Sequence, residues 1–108
     1  MAFRAHIVVS DGTGTRLSAA RLKTLRESES VILPGHNGTR SGVPGIWVET
    51  DPQYHERGEA KPLFVAKVRR LVQTLAADGL RTEIGCTNEL SLDALAHLRQ
   101  DGYKVVRR

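Results

Sequence analysis

The chain has 108 residues, a mass of 11.9 kDa, a formal net charge of +4 and a pI of about 9.7, with 40% hydrophobic and 26% charged residues. That is the composition of one ordinary globular domain, here spanning residues 1–108. No apolar run nears the roughly 20 residues that a bilayer demands, and the amino terminus has no apolar block of signal-peptide length. The single Cys86 excludes an internal disulfide and a cysteine-built zinc centre. A cytoplasmic location with no membrane attachment is therefore expected.

The first apolar run, His6-Ile7-Val8-Val9, reads as a buried strand over residues 6–10 that ends in the turn Asp11-Gly12. Residues 17–29 read as a helix with Leu17, Leu22 and Leu25 facing inward. Val31-Ile32-Leu33 is apolar and β-branched enough for a second strand, stopped by Pro34-Gly35. Residues 34–45 hold several Gly and Pro and read as a loop. Gly45-Ile46-Trp47-Val48-Glu49 gives a third strand, and residues 51–61 a polar connection. Pro62 suits the first turn of a helix, on which Phe64, Val68, Leu71 and Leu75 recur at helical spacing. Asp78-Gly79 ends it, with Gly79 as the left-handed cap residue. A strand over residues 82–86 follows. Ser91 then serves as N-cap of a helix carrying Leu92, Leu95, Ala96 and Leu98. Asp101-Gly102 stops that helix before the last strand, Tyr103-Lys104-Val105-Val106. The order is βαββαβαβ. Helices joining short strands favour right-handed parallel crossovers, so the expected fold is a single α/β domain with a mixed, mostly parallel sheet flanked by helices.

In a parallel α/β sheet, ligands collect beyond the carboxyl ends of the strands. On that reading Asp11-Gly12-Thr13, Glu49-Thr50-Asp51 and Cys86-Thr87-Asn88 share one crevice. Asp11 and Asp51 would hold a hard cation such as Mg2+, and Thr13, Gly14, Thr15, Thr87 and Asn88 would bind a phosphate. His55, close to Asp51 in sequence, could act as a base oriented by a carboxylate. Asp, Asn, Thr and Gly also gather wherever strands turn.

Asp11-Gly12-Thr13-Gly14-Thr15 resembles the Asp-Lys-Thr-Gly-Thr phosphorylation motif of the P-type ion pumps, in the haloacid-dehalogenase-like superfamily. Gly12 departs from that motif. The resemblance implies Asp11 as nucleophile and Thr87 as the second-motif hydroxyl. The superfamily's later lysine and acidic motifs have no room in this sequence, and without them a phosphoryl intermediate lacks its charge partner. Gly35-His36-Asn37-Gly38-Thr39-Arg40-Ser41 resembles the Gly-His-Asn-Gly-Leu-Arg-Ser segment of bacterial peptidyl-tRNA hydrolases, with Thr39 in place of the leucine. It implies a substrate contact for Asn37.

The basic balance favours anionic partners. Its densest groups are Lys67, Arg69 and Arg70, and Lys104, Arg107 and Arg108. Of these, Lys67, Arg69, Arg70, Arg107 and Arg108 are the candidate nucleic-acid contacts, and a solvated face explains the same charges. Two readings of function follow. One is a small interaction module that binds an anionic partner such as nucleic acid, another protein or a second copy of itself. The other is a small metal-dependent hydrolase or phosphoryl-transfer enzyme built on Asp11. The first is favoured because no catalytic set is complete.

Overall fold

The computed structural model describes residues 2–56 and 58–108. Strand β1 (Phe3–Ser10) leads into helix α1 (Ala19–Ser28), and then come β2 (His36–Arg40) and β3 (Val43–Thr50). A single 3-10 turn (Pro52–Tyr54) precedes α2 (Ala60–Ala77). The chain closes with β4 (Arg81–Cys86), two short helices α3 (Glu89–Ala94) and α4 (Ala96–Gln100), and β5 (Lys104–Arg107). The radius of gyration, 13.2 Å, matches the ~13 Å expected of a folded chain this long.

All five strands form one sheet in the order β2-β3-β1-β4-β5. The expected three-strand centre exists, because β3, β1 and β4 are neighbours, but both of their pairings are antiparallel. β2 and β3 are antiparallel too, and only β4 and β5 run parallel. The sheet is mixed rather than mostly parallel. The helical connections do join strands of like direction: β1 to β2 through α1, β3 to β4 through α2, and β4 to β5 through α3 and α4. In the first two, however, an antiparallel strand is inserted between the partners, giving two interleaved split βαβ units.

Other corrections are local. Val31 and Ile32 are 45% and 86% exposed and belong to no strand; only Leu33 of that run is buried. The second strand lies instead at His36–Arg40, inside the segment expected to be a loop. It folds onto β3 through the two-residue turn Ser41-Gly42, where φ is 50° and 77°. That is the type I′ pattern that suits tight hairpins. The expected last helix is two, meeting at Leu95, and its N-cap is Asn88, whose side chain accepts from the Ser91 amide. Gly79 and Gly102 do take positive φ at the helix ends.

The split crossovers decide where the core sits. Right-handed connections of this kind put every helix on the same face of the sheet. A single cluster joins Phe3, Ala5, Ile7, Val9, Ile46, Val48, Ile84 and Val105 of the sheet to Leu22, Phe64, Leu71, Leu75, Leu95 and Leu98 of the helices. Strand alternation then sends Arg4, His6, Val8 and Ser10 of β1 to the other face. Among the described residues no helix covers that face.

Candidate functional site

The antiparallel pairing of β1 with β4 pulls the expected crevice apart. Ser10 pairs with Arg81, so Asp11 lies at one end of the sheet. Thr87 lies at the other, its amide donating to the Arg4 carbonyl at 3.2 Å. Seven residues of strand separate those levels, about 23 Å at ~3.3 Å per residue. Asp51 follows Thr50, which pairs with Phe3, so it too sits at the end away from Asp11. Among the described residues no three His, Cys, Asp or Glu side chains gather closely enough to hold a metal ion. The joint site for Mg2+ and phosphate does not assemble.

Each of its members has local work instead. Asp11 Oδ1 accepts from the Thr13 amide (2.9 Å), the Thr13 hydroxyl (2.6 Å) and the Thr15 amide (3.1 Å), and Arg21 stands 3.7 Å from Oδ2. The Thr13 hydroxyl bond leads these effects in holding the Asp11 carboxyl below its ordinary range. The Gly14 amide donates to the Asp11 carbonyl. The loop closes on itself through these bonds. Asp51 caps the 3-10 turn through Gln53, and His55 ends that turn. Asn88 accepts from the Ser91 amide and hydroxyl and donates to the Ala2 carbonyl. Asn37 accepts from Arg26, whose guanidinium also holds the carbonyls of Leu33 and Pro34. Burial pushes the Cys86 thiol up to about 11, far from a nucleophile's range.

The five basic candidates do not share a surface. Lys67, Arg69 and Arg70 lie on α2 in the helical layer, with Arg69 bonded to His97 of α4. Arg107 faces the same layer and pairs with Glu89 at 3.5 Å. Arg108 follows it and, by alternation, faces the open side, where it pairs with Glu83.

That open side holds a cluster not anticipated from the sequence. Register places Arg4, His6 and Val8 of β1 level with Glu49 and Trp47 of β3 and with Gly85 and Glu83 of β4. Arg40 and His36 of β2, Arg81 of β4 and Lys104 of β5 extend the same face. At its centre Trp47, 9% exposed, donates from Nε1 to the Thr39 carbonyl and lies 4.6 Å from the His6 ring. The ring fits because Gly38 has no side chain; a Cβ there would come within 2.9 Å of Trp47 Cδ1. The Arg4 guanidinium carbon lies 4.1 Å over the centre of the Trp47 ring, and its Nε is 3.3 Å from the Glu49 carboxylate. Arg40 approaches the same ring at 5.9 Å. Lys104 pairs with Glu83 at 3.1 Å.

His6 lies beneath this layer, its Nε2 3.0 Å from the Gly38 carbonyl. Burial lowers its pKa below 6.5, and Arg40 and Arg4 add to that, against the raising effect of the Gly38 carbonyl. A neutral imidazole at pH 7 follows. Reading β1 from residue 6 hid the pattern; reading it from Phe3 puts Arg4 and His6 on one face by simple alternation.

The chain matches no protein-family model, no curated protein and no solved structure. Its function has to be argued from this geometry.

Proposed function

We propose that the chain is a non-catalytic module that binds single-stranded nucleic acid across the uncovered face of its sheet. One observation carries this reading: among the described residues, five cations (Arg4, Arg40, Arg81, Lys104 and Arg108) share that face with only two side-chain carboxylates, Glu49 and Glu83. Exposed ion pairs of this kind are worth little on their own, so a phosphate can replace a carboxylate partner at small cost. Arg4 offers more than charge. Its guanidinium stands over the Trp47 ring, and the side chain is 46% exposed, so it offers a planar cation on which a base can stack.

The shape favours a single strand. Five strands at ~4.8 Å spacing are about 19 Å across, wider than the ~12 Å major groove of a duplex. The sheet can meet a duplex only at its phosphates, whereas an extended strand can lie along the face.

Anisotropy of a labelled oligothymidine tests this. Binding should appear at low salt and weaken steeply as salt is added, with a log–log slope of roughly −2 to −3 for three or four neutralised phosphates. Trp47 is the only tryptophan and its emission should change in the same titration. No binding at low salt would refute the reading.

A further inference from the structure

Beside the Trp47 cluster the open face sinks into a depression of about 200 Å³, lined by His6, Val8, Arg40, Ser41, Glu83 and Arg108 among others. Its floor is low because Gly85 carries no side chain. A Cβ there would stand 3.2 Å from the His6 carbonyl and 3.4 Å from Arg108 Cδ. Arg40 reaches in from the hairpin, where one terminal nitrogen, Nη2, donates to the Arg108 carbonyl. The other, Nη1, is buried and has no hydrogen-bond partner. A buried guanidinium N–H without an acceptor is costly and uncommon, and it marks the place where an acceptor is missing. Arg108 brings a second guanidinium to the same depression. Glu83, the one side-chain carboxylate lining the depression, forms ion pairs with Lys104 and Arg108, although its own buried Oε1 also has no hydrogen-bond partner.

We propose that this depression is a binding site for a phosphate dianion, held between the guanidinium groups of Arg40 and Arg108. One phosphate oxygen accepts from Arg40 Nη1 and another from Arg108, while Glu83 keeps Lys104 as its partner. Guanidinium suits the task, since its planar fork matches a phosphate better than an ammonium does. His6, neutral and already bonded to Gly38, contributes shape rather than charge. The phosphate can be the end of a nucleic-acid strand or a free phosphomonoester. The site stands on its own geometry and does not need the polymer reading.

Calorimetric titration of the full chain with inorganic phosphate, at ionic strength balanced by chloride, tests it. Wild type should give saturable heat. Arg40→Gln and Arg108→Gln should each weaken binding about tenfold or more, the scale of one charge-assisted hydrogen bond. Arg40→Lys should fall between, because it keeps the charge and loses the fork. No phosphate heat in wild type, or equal affinity in wild type and Arg108→Gln, would overturn the proposal. Arg108→Gln decides the matter even if the Arg40 variants fail to fold, since the Arg108 side chain is about half exposed. Oligothymidine with a 5′-phosphate or a 5′-hydroxyl separates the sources. A preference for the phosphorylated strand assigns the site to strand ends, and phosphate binding with no such preference assigns it to a free phosphomonoester. Phosphate binding without any oligonucleotide binding would remove the polymer reading and leave this site intact.

Discussion

His6 is the residue on which the open face depends. Its ring is packed against Trp47 and against the backbone of Gly45, where a Cβ would come within 2.5 Å of both His6 Cε1 and the Ile7 carbonyl. Gly45→Ala should therefore destabilise the fold by roughly 1–3 kcal/mol through overpacking, read as a lowered urea midpoint. Protonation acts in the same direction. The folded state holds the His6 pKa below 6.5, so on acidification the unfolded chain takes up the proton first. Stability from the neutral ring is fully present above the unfolded pKa and is lost as pH falls below 6.5 toward the lower folded-state pKa. Urea midpoints across that range should decline in wild type and flatten in His6→Gln. Asp11 acts in the same direction at lower pH: its carboxyl is held below its ordinary value, so its contribution is present above the ordinary carboxylate range and is lost as pH falls through that range.

Among the elements, α2 and the β2–β3 hairpin show two different sources of order. The helix holds Phe64, Val68, Leu71, Val72 and Leu75 fully buried on one stripe, and the sheet packs against that stripe. Leu71→Ala removes core volume at a fully buried site and should cost roughly 2–5 kcal/mol in chemical denaturation. An unchanged midpoint would mean that the stripe faces elsewhere. The hairpin has little burial of its own in β2 and relies on its turn. Ser41 sits at φ 50°, a region that Asn tolerates better than Ser. Ser41→Asn should raise the thermal midpoint slightly, by an amount corresponding to about 0.5 kcal/mol; a decrease would show that the serine hydroxyl matters more than the backbone.

At the scale of the molecule, the layering separates two basic surfaces that the linear sequence cannot distinguish. All helices cover one side of the sheet, so Lys67 and Arg70 stand on the outer surface of that layer while Arg81 and Lys104 stand on the uncovered side. Charge reversal at the two places changes net charge equally. If the open face is the binding surface, Arg81→Glu with Lys104→Glu should abolish most oligothymidine affinity, and Lys67→Glu with Arg70→Glu should leave most of it. Equal losses from the two pairs would mean that net charge alone, with no particular face, drives association.

Local chemistry made several features legible in the sequence: the α2 stripe, the glycine stops at Gly79 and Gly102, and the three apolar strands that form the sheet's centre. Each of these depends on neighbours a few residues away, so periodicity and turn preference are enough. β2 was hidden because it is an edge strand of polar residues with Gly38 at its middle, and its stability comes from β3 and the Trp47 ring. Val31 and Ile32 misled for the converse reason: they have strand-like side chains but no strand beside them. The candidate site followed the same division. The turns at Asp11, Asp51 and Asn88 could be read locally, and each is built as a local turn or cap. Whether they meet depended on strand adjacency. The sequence by itself determined the α/β alternation and which residues lie on the stripes. Only the tertiary structure decided that β1 is inserted antiparallel between β3 and β4, because that pairing is made between segments some 40 or more residues apart in the chain. That one insertion sends Asp11 and Thr87 to opposite ends of the sheet and gathers Arg4, Trp47, Arg40 and Arg108 on its uncovered face.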